Sequence, residues 1–561
     1  MRSIVLFALV LAATPAISSP QNDLGFGRTG TVQYVHHWPD PVTVRNGNFF
    51  LPAQDYFMSC YGFPLEVYRS YNSISTRNGP FGRGWTFNYD IQIVVDLKNG
   101  MTVVEADGFV NDYLPVESDL GPGKDLIDRI VEARKKEDVQ YLGKPEGKGS
   151  AFYKDLRQKL DDDPALLKRQ TERYFPTQTK ISPSGKYVSH QRGTTTIEKG
   201  PTGFIRTTET GRREEYSPKG LLTRVTDRNG DGLTLSYNTD SRLDRVRDSC
   251  GQWLQFSYTP AGKISKITDY LLRELTYQFD KTDHLLAATT VEAETAKFAY
   301  DKDDRMTLLT FADGSKVEMT YDPKSGYVTK QAGPGTKVTT YTYGRSLGTF
   351  WAKVEDNEGE KSKYEYLDAE DKIIFTDRAG KKIITTLSAC CGKPISIVDE
   401  RGVGDHFKYD ATGNLVEKLD AANHLTKYVY EPRFNHPSEI RLHDNSYLRF
   451  VYDKGGNLSF VRSSGGEHVQ ITNDAHGKIV SMNDHRDVTI KFEYNRFGKP
   501  TLIEKSLKGK KVGSIAITYS KAQDILKVAY DPKRAEVMQE IKETLASFLR
   551  FMKPSGIEFE I

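Results

Sequence analysis

The sequence predicts a mainly β protein: a wide antiparallel sheet assembled from repeated hairpins, with a small helical insertion and a C-terminal helix. Three observations predict it. An aromatic column recurs every 21 residues at Tyr216, Tyr237, Tyr258, Phe279, Tyr300 and Tyr321. A glycine stands four residues after several anchors of this column and of its continuation toward the C-terminus, as at Gly220, Gly262, Gly413, Gly456, Gly477 and Gly498. The residues before each anchor alternate between apolar and polar, as in Leu233, Leu235, Tyr237 or Ile490, Phe492, Tyr494.

Each observation has a structural meaning. Period-two alternation marks a strand with one buried face. Glycine supplies a positive φ without steric cost, so the stretch from anchor to glycine reads as a tight turn. Asp often follows the aromatic residue, as in Tyr300-Asp301, Tyr321-Asp322, Tyr409-Asp410 and Tyr452-Asp453. Six residues after the anchor comes an apolar residue (Leu222, Leu243, Ile264, Leu285), and nine after comes another (Val225, Val246, Ile267). That three-residue step breaks strict alternation and predicts a bulge. The column continues with small slips through Tyr343, Tyr366, Leu387, Tyr409, Tyr430, Tyr452, Asn473 and Tyr494. After an insertion around Lys505–Gly513 it ends at Tyr519 and Tyr530. Sustained alternation argues against a helical array of the same period. About fifteen hairpins give a ribbon on the order of 140 Å wide at ~4.8 Å per strand. A sheet so wide twists, curls or splits, and its buried stripe must face its own far wall or an enclosed segment.

Composition agrees. Aromatic Tyr (31) and Phe (27) are abundant and suit half-buried sheet surfaces, while Gly (46) and Pro (24) supply turns. A net charge of +3, from 78 basic and 75 acidic residues, predicts no nucleic-acid partner. Arg2, the apolar run Ile4–Ala13 and the small residues Ala16 and Ser18 read as a secretion signal cleaved after Ser18. The run is too short for a transmembrane segment, and no later stretch reaches ~20 apolar residues. The expected localisation is therefore secreted or periplasmic.

The Tyr-Asp turns, as in Tyr409-Asp410 with Gly413 and Leu415, resemble the YD repeats of RHS proteins. The preceding segment resembles the lead-in domain of that family. The resemblance there rests on Asn46-Gly47-Asn48-Phe49, Asp55, Gly62, Pro64-Leu65, Tyr68-Arg69, Tyr71-Asn72-Ser73 and Gly79-Pro80-Phe81-Gly82-Arg83-Gly84-Trp85 with Tyr89. The resemblance covers about residues 30–115 and 180–530. It implies a ribbon that spirals into a hollow β-sheet shell, as in teneurins and Tc-toxin cocoons, enclosing cargo or presenting a surface. Toxin-bearing members of the family end in paired Asp-Pro motifs and a toxin; here Tyr530-Asp531-Pro532 precedes only a helical pattern and a tail. The expected organisation is a signal peptide at 1–18, a lead-in β domain at 19–120 and a charged helical insertion at 121–176. A YD-repeat shell at 177–531 and a C-terminal helix and tail at 532–561 complete it.

Outside the array, Leu126, Ile130 and Ala133, then Leu156, Leu160, Leu166 and Leu167, predict helices, with Pro164 opening one of them. The insertion is expected outside the shell or across one end, an active domain being the alternative. Val537, Ile541, Leu545 and Leu549 predict a helix packed on the shell's edge, or else a lumen plug or docking helix. Cys60, Cys250, Cys390 and Cys391 match no zinc spacing and are expected as small buried apolar residues. Asp227, Asn229, Asp231 and Gly232 resemble the opening of a calcium loop, but Asn238 stands where a bidentate carboxylate is needed, so an ordinary turn is expected. His36, His37 and Asp40 flank Pro39 and point apart, and Asp161, Asp162 and Asp163 read as a solvated helix start.

No catalytic residues, metal ligands or cofactors are predicted, and the binding residues stay unknown. The expected function is that of an exported, non-enzymatic shell acting in structural or binding roles toward a protein or glycan. The alternatives are an accessory of a polymorphic toxin system that encloses an effector, and an enzyme with its site in the insertion.

Overall fold

The computed structural model describes residues 42–552, apart from 96–100, 107, 116–122, 145, 175–184, 190–193, 209–210, 334–337, 347–348, 389–391, 411–412, 533 and 535. The expected signal peptide, the His36–Asp40 segment, Cys390 and Cys391 lie outside the described residues.

Thirty-three strands, from Lys186–Ser189 to Ile525–Asp531, pair antiparallel in sequence order. The three strands between Gln92 and Pro115 join the ribbon through Leu114, which pairs with Val188. The register slips immediately before the anchors, as between Ser236 and Tyr237 or Ser257 and Tyr258. This is the bulge that the three-residue step predicts. Its extra residue often carries a hydroxyl that bonds the carbonyl before the anchor: Thr223 to Glu215, Ser459 to Val451.

The Tyr-Asp pair divides two tasks. Asp301 Oδ1 accepts the amide hydrogens of Asp303 and Arg305 at 2.9 and 3.0 Å, which fixes the turn. Asp453 does the same for Gly455 and Asn457. The fourth residue after the anchor takes positive φ, whether glycine (Gly220, 78°) or not (Ser241, 59°; Asp304, 65°). Most anchor tyrosines then donate their hydroxyl to a carbonyl fifteen residues back, as Tyr237 to Leu222, Tyr258 to Leu243 and Tyr321 to Met306, at 2.6–2.7 Å. Neighbouring hairpins are stapled together by this bond. The stretch Lys505–Gly513 is a longer hairpin rather than a loose insertion, with strands Pro500–Leu507 and Lys510–Tyr519.

The ribbon coils upon itself. The turn at Asp227–Asp231 meets turns of a later coil: Asn229 bonds Asn457 and the His476 carbonyl, and Asp231 Oδ2 lies 2.8 Å from His476 Nδ1. Further along, the Tyr270 hydroxyl reaches the Lys521 carbonyl at 2.9 Å. One coil therefore takes about 22 strands, a circumference near ~105 Å at ~4.8 Å per strand.

Among the described residues, four α-helices accompany the ribbon: α1 (Gly123–Leu142), α2 (Ser150–Asp162), α3 (Pro164–Tyr174) and α4 (Glu536–Met552). The first three share a small core of Leu126, Ile127, Ile130, Tyr153, Leu160 and Leu166. The inward rows of the ribbon form two larger cores. One joins the rows from Tyr187 to Leu387 to residues of the 42–93 segment, and the other joins the rows from Tyr428 to Ile517 to α4. Between them the inward positions Asp405, Phe407 and Lys418 stay half-exposed, and Lys418 pairs with Asp405 at 2.9 Å. Charges are tolerated in the row where no apolar element covers it.

Candidate functional site

The interior of the first coil is occupied by the segment that precedes the array. Its four-stranded sheet comprises Val42–Thr43, Asn48–Met58, Leu65–Asn72 and Trp85–Phe87. The residues carrying the lead-in resemblance are those that dock it. Trp85 is fully buried and donates its indole N–H to the Tyr300 hydroxyl at 3.0 Å. The Tyr71 hydroxyl accepts the Met306 amide hydrogen at 2.8 Å. Gly82, at φ 92°, lies so close to the Asp283 carbonyl that a Cβ would fall 2.2 Å from its oxygen. Gly47, at φ 61°, is similarly crowded by Tyr327 and accepts the Val328 amide hydrogen. Only glycine allows these backbone approaches.

At the centre of this interface is a buried charge. Arg69, 1% exposed, donates to both carboxylate oxygens of Asp55 at 2.5 and 3.0 Å. Tyr277, from the array, donates its hydroxyl to Asp55 at 2.9 Å. The guanidinium lies 4.3 Å from the Trp85 ring centroid and 5.4 Å from that of Phe298. Burial opposes the Arg69 charge, while Asp55 holds its pKa above the usual value. Burial likewise drives the Tyr277 hydroxyl well up. The pair is a pin between the inner sheet and the shell wall rather than an exposed acid or base.

A second tie corrects the sequence reading of two cysteines. Cys60 and Cys250, 190 residues apart, form a disulfide, so they are not the free apolar residues expected. Around it, the Gln523 side chain accepts from Ser59 Oγ at 2.7 Å and donates to Gln252 Oε1 at 2.9 Å. Gln252 in turn donates to the Ser59 carbonyl and to Asp248 at 3.0 and 2.9 Å. Inner sheet, first coil and last turn thus meet in one buried latch. Burial raises the Asp248 carboxyl to about 6 against those hydrogen bonds. Among the described residues, Cys60, Asp248 and Cys250 are the one set of three or more donor side chains close enough together to hold an ion, and both sulfurs are already bonded to each other.

The second coil is covered from within by α4. Val537, Ile541, Leu545, Phe548 and Met552 are buried against the inward rows, and Gly513 leaves room for Val537, whose Cγ1 would lie 2.8 Å from a Cβ there. The helix therefore covers the inner face of the wall. In the insertion, Asp138 accepts from Arg134 at 3.1 Å and from Tyr153 at 3.1 Å, and Glu137 accepts from Arg173 and Tyr174 at 2.6 Å. Burial, then Arg134, lowers Lys148 to about 8. Burial raises Asp371 on the shell wall, and the charges of Arg134, Lys148 and Arg173 counter it. The hydrogen bonds of Asp138 and Glu137 tie helix to helix.

The other sequence candidates fall as follows. Asp227 Oδ1 accepts the Asn229 and Asp231 amide hydrogens at 2.9 and 3.0 Å, while Asn229 and Asp231 turn to the next coil. Asn238 belongs to the following anchor turn and bonds Asp240 and Arg242. The segment is a turn at the seam between coils. Asp163 Oδ1 accepts the Leu166 amide hydrogen at the start of α3, as a helix start requires, whereas Asp161 and Asp162, expected to share that start, instead end α2. Sequence reasoning missed the Arg69–Asp55–Tyr277 pin and the Gln523 latch, whose partners are distant in the chain and share no spacing.

Among the described residues, no helix is long and apolar enough to cross a membrane. Residues 39–113 match a family described as Domain of unknown function (DUF6531), and residues 163–382 match the Teneurin YD-shell family. Among curated proteins no relative matches. Solved structures with some likeness include TcdB2-TccC3 without its hypervariable C-terminal region, at 12% identity over 88% of this chain and 28% of that one, TM-score 0.38. The Tc holotoxin pore of Photorhabdus luminescens shows 12% identity over 88% of this chain and 34% of that one, TM-score 0.31. The chain spans about a third of the length of these structures. With Tyr-Asp turns stapled in order along one coiled ribbon and the Teneurin YD-shell match over its first coil, the chain is an RHS/YD-repeat protein.

Proposed function

We propose that the chain is an exported, non-enzymatic β-shell protein that acts structurally or by binding a protein or glycan, at the cell envelope or outside the cell. One observation carries this reading: most of the inward rows, those from Tyr187 to Leu387 and from Tyr428 to Ile517, are covered by the chain's own segments, the 42–93 sheet and α4. A container for a separate effector needs that volume for its cargo. The Cys60–Cys250 disulfide supports an oxidising compartment and fits the signal-like N-terminus. The polar clusters of the insertion serve as ties, which supports a scaffold over a catalyst. In this reading the outer face and the rims meet the partner, and the organisation is lead-in plug, helical insertion, shell and closing helix.

The test is gentle purification of the native protein from the exporting cell, followed by native mass spectrometry. The expected species is the processed chain alone or with a surface partner that mild salt removes. An effector polypeptide retained until the shell is unfolded would refute the reading and favour the toxin-system alternative.

A further inference from the structure

The first coil's turns at Asp227–Asp231 and Asp269–Arg273 are covered by the second coil. The corresponding turns of the second coil, at Asp420–His424, Leu442–Ser446, Ser463–Glu467 and Asp484–Val488, bond within themselves and to adjacent turns and form the far rim. Histidines gather there. His424 and His443, on consecutive turns, stack with ring centroids 3.9 Å apart and planes inclined by 19°. Both are exposed. Asp420 Oδ2 lies 3.3 Å from His424 Nδ1 while its Oδ1 accepts the His424 amide hydrogen at 2.9 Å. Asp444 flanks His443 and is itself held by Ser446.

We infer that His424 and His443 form a binding site for a divalent late transition-metal ion, of the Zn²⁺ or Cu²⁺ class. Imidazole is a preferred ligand for these ions, whereas carboxylate and carbonyl sets favour Mg²⁺ or Ca²⁺. The Asp420 carboxylate, 3.3 Å from Nδ1 of His424, occupies that side of the ring and leaves Nε2 open as the ligand atom, as the outer-shell partner of a metal-binding histidine does. Two rings stacked on neighbouring turns need only side-chain rotation to place one nitrogen each at ~2.0–2.1 Å from a single ion. The turn backbones, pinned by Asp420 and Asp444, keep the pair together. Two protein nitrogens leave the remaining coordination positions open toward solvent, available to water or to a donor from a partner that meets the rim.

The experiment uses the untagged, oxidised full chain with Zn²⁺ alone by calorimetry and Cu²⁺ alone by electron paramagnetic resonance. Wild type should bind one equivalent that H424A/H443A lacks, with nitrogen hyperfine structure from two imidazoles in the Cu²⁺ spectrum. D420N should weaken that site by about tenfold, and H468A, farther along the rim, should leave it unchanged. The exposed positions allow the variants to fold, which an unchanged circular dichroism spectrum checks. Equal stoichiometry and affinity in wild type and H424A/H443A would overturn the inference, as would wild type that binds no ion.

Discussion

Asn473 donates its side-chain amide to the Leu458 carbonyl at 2.9 Å, where a tyrosine hydroxyl makes the equivalent bond in neighbouring units. Tyr452 reaches Pro437 and Tyr494 reaches Ile479 over the same fifteen-residue interval, at 2.7 and 2.6 Å. The column is therefore conserved along the chain as a donor to the preceding hairpin as well as an aromatic ring. Replacing Tyr452 by Phe keeps the ring and orphans the Pro437 carbonyl, at a cost of about 1–2 kcal/mol. Asn473→Leu should cost a similar amount, and Asn473→Tyr should be tolerated. Urea midpoints of the three variants check this; a Y452F midpoint equal to wild type would rule out the staple.

That bond also marks how far the sequence could be read. The 21-residue register, the bulge and the turn are local, so Tyr237, Gly220 and Leu243 display them in the chain. The role of Asp301 follows from the same locality. The coil pitch is different, because it depends on strand twist accumulated over about 22 strands, and no residue near Asn229 announces Asn457. Cys60 lacks any spacing cue toward Cys250 for the same reason. The apolar stripe of α4 was visible, but amphipathicity alone does not say whether the helix meets the outer edge or the inner wall.

The latch predicts a redox-dependent stability. Closing a 190-residue loop restricts the unfolded chain by about 5 kcal/mol in the chain-entropy relation. Cys60→Ser should lower the thermal midpoint, and a reductant should lower wild type to the same value without further affecting the variant. A non-reduced digest should yield a peptide pair joining Cys60 to Cys250. Two free thiols at these positions in the native protein would contradict the latch.

Acid should act on two buried groups with opposite signs. Burial, then Arg228, lowers His436 to about 4, below its ordinary 6.5. The unfolded chain therefore binds the extra proton between these values, so the His436 contribution is present above 6.5 and is lost as pH falls toward 4. Burial raises Asp248 from 3.8 to about 6. Its contribution is fully present below 3.8 and is lost as pH rises through 6. His436→Gln should flatten the acid-side fall in stability, and Asp248→Asn should flatten the opposing change. Denaturation midpoints measured from pH 4 to 7 separate the two; parallel curves for H436Q and wild type would refute the histidine assignment.

The buried pin offers a sharper test of the inner sheet. Asp55→Asn would leave Arg69 charged, buried and unbalanced, a loss of about 3–5 kcal/mol. Tyr277→Phe removes one hydrogen bond to Asp55 and should cost less, about 1–2 kcal/mol. Because Asp55 and Tyr277 share one interaction, their effects should fall short of additive in the double variant. Limited proteolysis should reveal where the damage lies, with earlier cleavage in residues 42–91. Additive losses would show that the contacts act separately.

The closing helix gives the last prediction, and the one that bears most on function. Leu545, 2% exposed, lies in the core formed by α4 and the inward rows of the second coil. Leu545→Ala should cost about 2–5 kcal/mol as a buried large-to-small change. Leu545→Asp should do more than destabilise, because a carboxylate cannot remain in that apolar layer and the helix must leave it. Departure of α4 would bare Phe450, Val461, Ile471 and Ile490, raising binding of a hydrophobic dye and amide exchange in strands 448–494. The first coil, covered by its own inner sheet, should keep its protection. If exchange rose equally in both coils, the helix would be supporting the whole shell rather than lining one part of it.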